Sequence, residues 1–111
     1  MGATAAQRYA TLTAEALGDA LRELPGWSLD SGHLVRAVRA ADPWRLLERV
    51  NAVEERLDHH SLVTLDRGQV VFSVWTHVRP SLTAADVELA HCIDEAAAGL
   101  EAAAPDAQTG S

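Results

Sequence analysis

The spacing of apolar residues divides the chain into helical and extended segments. Helical spacing follows Thr13, a suitable N-cap, and stops at Pro25-Gly26. A second helical pattern follows Asp42-Pro43, an N-cap with proline at the first helical position, and fades at His59-His60. The apolar positions are Leu17, Ala20, Leu21 and Leu24 in the first segment and Leu46, Leu47, Val50, Val53 and Leu57 in the second. The pattern predicts a short first helix and a longer second one.

Two extended segments and a third helix complete the pattern. WSLDSGHLVRAV carries a turn signal at Asp30-Ser31-Gly32, and LVTLDRGQVVFSVWT carries one at 66–68, so each predicts a β-hairpin. Thr83 is the N-cap of the third helix, and Asp86 at its third helical position completes a capping-box pattern. The apolar spacing predicts that this helix continues to about Ala103.

The predicted order of elements is α-ββ-α-ββ-α, which favours an α+β domain. Its sheet would have four antiparallel strands, built from two hairpins, with three helices packed on one face. Residues 12–104 are predicted to form this single domain, 1–11 a flexible arm and 105–111 a disordered tail. Two sheet edges and an alanine-rich third helix predict a homodimer or homotetramer.

Composition narrows the class of protein further. With 48% hydrophobic residues, the 111 residues suffice for one modest core. The net charge of −7 and the scattered arginines argue against a nucleic-acid partner. The single cysteine, Cys92, cannot form an internal disulfide or a cysteine-pair metal site. No apolar run reaches the roughly 20 residues of a membrane span, and no secretion signal opens the sequence, so we expect a cytoplasmic protein without a membrane partner.

Three histidines lie where predicted elements end. His59 and His60 join the second helix to the third strand, and His77 ends the fourth strand. Antiparallel pairing would bring these two positions together, with Asp86 in the same neighbourhood. Imidazole, with an unperturbed pKa of about 6.5, exchanges protons near neutral pH. A solvated helix end, a purely capping role for Asp86 and a metal site are the alternatives, although a His-Glu-x-x-His pattern is absent.

The arrangement Glu55-x-x-x-His59-His60, followed by His77 and Asp86, resembles the signature of pterin-4a-carbinolamine dehydratases, also called 4a-hydroxytetrahydrobiopterin dehydratases. Sixteen residues separate His60 from His77, and eight separate His77 from Asp86. The segment LPGWSLDSGHLVRAV also resembles the first hairpin of that family. The resemblance implies a metal-free hydro-lyase that needs no cofactor, because the pterin is its substrate. It would dehydrate 4a-hydroxytetrahydropterin to quinonoid dihydropterin during tetrahydropterin recycling.

The resemblance also implies roles for individual residues. His60 and His77 would be the principal proton-transfer residues, and His59 would bind or orient the pterin. Which imidazole is the acid and which the base is left open. The residues implied to support the site or bind the substrate are Glu55, Ser61, Thr76 and Asp86.

Several positions depart from the pattern of that family. Ser61 stands where the family usually has proline, and Ser81 where it has a small glycine. Val63, Thr64 and Arg67 occupy a stretch that usually contains aromatic residues. Two alternatives follow: a related dehydratase acting on another hydroxylated heterocycle in a biosynthetic pathway, or a non-catalytic dimerisation or assembly module with the same fold. The retained histidines count against the module.

Overall fold

The computed structural model describes residues 9–76 and 81–102 and has the predicted order of elements. The helices are α1 (Ala14–Arg22), α2 (Pro43–Leu57) and α3 (Ala84–Ala97). The strands are β1 (Ser28–Asp30), β2 (His33–Arg39), β3 (Leu62–Asp66) and β4 (Gln69–Val74). The α+β fold class, with its four-stranded antiparallel sheet, is therefore confirmed. Within the described ranges, no helix has the length and apolar content needed to cross a membrane.

The sheet has the strand order β1-β2-β4-β3, so the two hairpins meet through their second strands. Leu34 pairs with Val74 at one end of this central contact. The hairpins close through Ser31-Gly32 and Arg67-Gly68, and all four residues have positive φ, between 52° and 82°. That is the type I′ geometry, whose twist matches paired strands. β1 and β3 are left as the edges.

The core lies between the helices and one face of the sheet. Alternate side chains of the two central strands are buried, as expected when a single face of a sheet is covered. These sheet residues are Leu34, Val38, Val70, Phe72 and Val74. The helices contribute Leu46, Val50, Val53, Leu89, Ala90 and Ile93 to the same cluster.

Each helix begins at the N-cap predicted from the sequence. The side chains of Thr13 and Asp42 accept hydrogen bonds from backbone N–H groups three residues later. At the start of α3 the Asp86 carboxylate accepts the backbone N–H of Thr83 at 2.8 Å. These local bonds satisfy donors that a helix cannot satisfy itself.

The end of α3 differs from the prediction, because the helix stops at Ala97 rather than near Ala103. Gly99 takes a positive φ of 81° and turns the chain back toward the end of β2. There the N–H of Ala102 donates to the carbonyl of Arg39 at 2.7 Å. Pairing with a distant segment therefore replaces the helical bonds that the alanine-rich sequence favours locally.

Trp27 ties the first hairpin to α3. Its ring is 6% exposed, and its indole N–H donates to the Asp94 carboxylate at 2.8 Å. Arg36 forms ion pairs with Asp94 and with Glu101. These contacts fix the position of the helix whose first turn carries Asp86.

Candidate functional site

The histidine pair directly follows the C-terminal turn of α2. Asp58 adopts a left-handed conformation, with φ 54° and ψ 44°, which aspartate tolerates better than most residues. Its N–H donates to the carbonyl of Glu55 at 3.3 Å, and the N–H of His59 donates to the carbonyl of Glu54 at 3.1 Å. These are the two hydrogen bonds of a Schellman motif. The motif ends the helix and sets the direction in which the chain enters β3.

The two adjacent histidines lie in different environments. His59 is buried, with 7% of its surface exposed, whereas His60 is exposed. Successive side chains point to opposite sides when a chain runs into a strand, so one residue of the pair faces inward and the other outward. The pair therefore consists of one imidazole held by the protein and one exposed at the surface.

A buried hydrogen-bond network holds His59. Its Nε2–H donates to Asp86 Oδ1 at 2.6 Å, since an ionised carboxylate can only accept. Asp86 Oδ2 accepts the Thr76 hydroxyl at 2.8 Å and the backbone N–H of Thr83 at 2.8 Å. The two threonine hydroxyls lie 2.7 Å apart. Because the Thr76 hydroxyl already donates its one hydrogen to Asp86, the Thr83 hydroxyl is the donor between them.

This network makes Asp86 serve two purposes. One oxygen caps α3, and the other fixes the orientation and tautomer of the His59 ring. The sequence allows Asp86 to cap α3, to support the site or to do both; the geometry shows the cap and a hydrogen bond to His59. Asp86 and Thr83 are fully buried, so the network is shielded from solvent.

Residues just before α1 also reach this region. The Tyr9 ring lies beside His59, with 6.2 Å between ring centroids and a tilt of 53°. Thr11 pairs with Thr83 through an antiparallel bridge, and the Leu12 N–H donates to the carbonyl of Leu82 at 2.9 Å. The segment therefore packs against the start of α3.

A second buried carboxylate lies next to the histidine pair. Glu54 is 7% exposed, and its Oε2 accepts the backbone N–H of Ser61 at 2.9 Å. The Ser61 hydroxyl donates to the same oxygen. The neighbouring Glu55, which the resemblance implies as a supporting residue, has an exposed side chain.

The structure brings part of the predicted site together. His59, Thr76 and Asp86 are linked by hydrogen bonds, and His60 and Ser61 follow His59 along the chain. His77 lies outside the described residues, so its predicted approach to the pair stays a prediction.

The positions that depart from the family pattern lie along the β3–β4 hairpin and on either side of it. Val63 is half-buried and Thr64 is exposed on β3. Arg67 lies in the β3–β4 turn, at the opposite end of β3 from His60. Ser81 lies near the network, because it pairs with Thr76 and its hydroxyl is 3.1 Å from that of Thr11.

Glu54 and Thr83 are members of this region that the sequence reasoning did not assign to it. Glu54 lies four residues after Val50 and thus on the buried face of α2, which is the signal that could have revealed it. Thr83 was recognised only as an N-cap. Its second role depends on a hydrogen bond with the Thr76 hydroxyl, which the capping pattern does not predict.

Neither His33 nor His91 makes a hydrogen bond to this network in the described residues. His33 is half-buried on β2, where its ring stacks on Trp75 at a centroid distance of 4.0 Å. His91 is half-buried on α3. In the described part of the chain, no three His, Cys, Asp or Glu side chains are grouped to hold a metal ion.

Comparison with known proteins places this geometry in a family. Residues 10–96 match the family model described as pterin 4 alpha carbinolamine dehydratase. A protein from Streptomyces coelicolor is 39% identical over 92 residues, which cover 79% of this chain and 91% of that protein. A protein from Metallosphaera sedula is 31% identical over 87 residues, which cover 76% of this chain and 91% of that protein. Both carry the provisional name pterin-4-alpha-carbinolamine dehydratase.

A solved structure supports the fold. The transcriptional coactivator/pterin dehydratase from Brucella melitensis superposes with a TM-score of 0.74 at 24% identity. The match covers 79% of this chain and 99% of that one. The family match spans the whole sheet, the histidine pair and Asp86. The chain therefore belongs to the pterin-4-alpha-carbinolamine dehydratase family.

Proposed function

We propose that this protein dehydrates a 4a-hydroxytetrahydropterin to the quinonoid dihydropterin by histidine acid–base catalysis, as a step of tetrahydropterin recycling. The observation that carries the proposal is the exposed His60 next to the buried His59–Asp86–Thr76 network, in a chain of this family. One imidazole is free to exchange protons, and its neighbour is fixed by a carboxylate.

The reaction breaks one C–O bond and moves two protons. An acid donates a proton to the hydroxyl group on C4a, which leaves as water. A base removes a proton from a ring nitrogen, and the electron pair of that N–H bond forms the new double bond. No oxidant or reductant is needed, because water is the only other product. His60 and His77 would supply the acid and the base, since imidazoles hold or release protons near neutral pH.

His59 would have an orienting role. Because Nε2–H donates to Asp86, the other ring nitrogen, Nδ1, is the atom available to accept a hydrogen bond. The fully buried Asp86 keeps this tautomer in place. We propose that His59 holds the pterin or its leaving hydroxyl while His60 and His77 transfer protons.

A dehydration assay tests the proposal directly. Purified protein is expected to accelerate the loss of water from 4a-hydroxytetrahydropterin above the spontaneous rate, and to do so equally after treatment with EDTA. The reason is that general acid–base groups alone account for the proposed step. The measurement is the absorbance of quinonoid dihydropterin over time, with a buffer blank and heat-denatured protein as controls.

The possible outcomes separate the alternatives. Acceleration only with another hydroxylated heterocycle would favour a related dehydratase, for which the altered Ser61 and Ser81 positions are the structural basis. Loss of activity on chelation would contradict the metal-free mechanism. No acceleration with any such substrate would favour a non-catalytic assembly module.

We further propose that the protein is a homodimer or homotetramer. Large apolar side chains are exposed on both edge strands: Leu29 on β1 and Leu62 and Leu65 on β3, each at least 48% exposed. Edge strands with exposed apolar residues favour pairing with another chain. Light scattering at micromolar concentration is expected to give two or four times the 11.9 kDa chain mass. A mass equal to the single chain would refute self-association.

A further inference from the structure

One residue, Glu54, holds the backbone on both sides of His60. Before His60, the N–H of His59 donates to the main-chain carbonyl of Glu54 at 3.1 Å. After His60, the N–H of Ser61 donates to the side-chain Oε2 of Glu54 at 2.9 Å. The Ser61 hydroxyl adds a third bond to the same oxygen. His60 thus lies between two anchored residues, although its own side chain is exposed.

The three hydrogen bonds that His59 and Ser61 donate to Glu54 form a clamp around His60, and the buried carboxylate of Glu54 is the unusual part. It is 93% buried, on the face of α2 that otherwise carries Leu46, Val50 and Val53. A carboxylate in such a place is costly unless hydrogen bonds compensate its lost hydration. In the described part of the chain, both compensating donors on the side chain come from Ser61. An apolar residue would fill the same position at lower electrostatic cost but could not accept the two Ser61 donors.

The clamp is built on a rigid element. α2 has 15 residues and packs three apolar side chains into the core, so the base of the Glu54 side chain cannot move far. Ser61 in turn directly precedes β3, whose first residue, Leu62, pairs with Ser73. The loop 58–61 is therefore held at one end by α2 and at the other end by β3.

We propose that Glu54 is a positioning residue for His60: through Ser61 it fixes where the His60 imidazole meets the substrate. This inference rests on the proposed function, because it concerns the orientation of His60 during proton transfer. Misplacing a catalytic group by about 1 Å can cost up to roughly 100-fold in rate. Because Glu54 acts on a group that transfers protons, its loss should lower kcat far more than it changes KM.

The test is a double-mutant cycle between Glu54 and His60. Glu54→Ala is expected to reduce kcat roughly 10- to 100-fold, with KM nearly unchanged. In a His60→Ala background the same change should reduce kcat by less than about twofold, because the group it positions is gone. Glu54→Gln should restore most of the activity, since its amide oxygen can accept both Ser61 donors. Spontaneous dehydration is subtracted from every rate.

A matched control comes from the same helix. Glu48 is exposed on α2, so Glu48→Ala removes the same charge without touching the loop, and it should leave kcat unchanged. If Glu54→Ala fails to fold, Ser61→Ala takes its place, because this change removes only the hydroxyl donor at a half-buried residue. It is expected to lower kcat about three- to tenfold, again only when His60 is present.

Each outcome has a distinct meaning. Wild-type kcat in both Glu54→Ala and Ser61→Ala would overturn the inference, as would an equal loss with and without His60. Wild-type kcat in His60→Ala alone would instead remove the proposed function, so the two failures are distinguishable. A fall in kcat in Glu54→Ala that occurs only when His60 is present, and that is absent in Glu54→Gln, supports the clamp.

Discussion

Replacing Asp86 with alanine is expected to lower the free energy of unfolding by about 3–5 kcal/mol. The carboxylate accepts hydrogen bonds from the His59 ring, the Thr76 hydroxyl and the Thr83 backbone N–H, all of which are buried. Each donor left without a partner costs about 1–3 kcal/mol, partly offset because a buried charge is also removed. Urea denaturation followed by circular dichroism measures the change.

Two milder substitutions act as controls for Asp86. Asp86→Asn keeps an oxygen for the His59 ring but turns an amide N–H₂ toward two donors, so we expect a smaller loss than for alanine. Thr76→Val removes a single hydroxyl and should cost about 1 kcal/mol. A loss below about 1 kcal/mol for Asp86→Ala would mean that the network contributes little to stability.

Replacing His60 with alanine should lower turnover strongly but leave the free energy of unfolding nearly unchanged. Because the side chain is exposed, the free energy of unfolding should change by no more than about 0.5 kcal/mol. We expect kcat for 4a-hydroxytetrahydropterin to fall by roughly 10²–10⁴, the usual contribution of a general acid or base. The measurements are the dehydration assay and urea denaturation on the same preparation.

The control for His60 is His91→Ala, a change of the same residue type on α3 at a half-buried position that the proposed mechanism does not use. Its turnover should match the wild type. The resemblance implies that His77→Ala behaves like His60→Ala. Equal activity of the wild type and the His60/His77 double variant would remove these imidazoles from the mechanism and favour the assembly module.

The fold could be predicted largely because its boundaries carry local signals. The start of α3 is specified by the capping pair Thr83 and Asp86. The two hairpin turns are specified by Ser31-Gly32 and Arg67-Gly68, which have positive φ. The end of α3 could not be predicted in this way. It depends on backbone pairing between Ala102 and Arg39, which are distant in sequence.

The sequence predicts which segments approach each other at the candidate site, but not which side chains are buried there. Strand pairing predicts that His59 and His60 lie near the end of β4, and Thr76, just after β4, donates to the same Asp86 carboxylate as His59. Which histidine is buried depends on the turn at Asp58 and could not be read from the pair itself. The spacing from Val50 places Glu54 on the buried face of α2, but its charge favours the opposite prediction, because charged residues on a helix normally face solvent.

The shared use of Asp86 has a consequence for how this protein can diverge. At most positions, a substitution that changes specificity can occur first, and a separate substitution elsewhere can later restore the lost stability. At Asp86 the same carboxylate caps a helix and orients an imidazole, so one mutation changes both properties together. His60 is exposed, so substitutions at the positions around it are not tied to stability in this way. For the proposed dehydratase, we therefore expect new substrates to be reached through exposed positions around His60 rather than through Asp86.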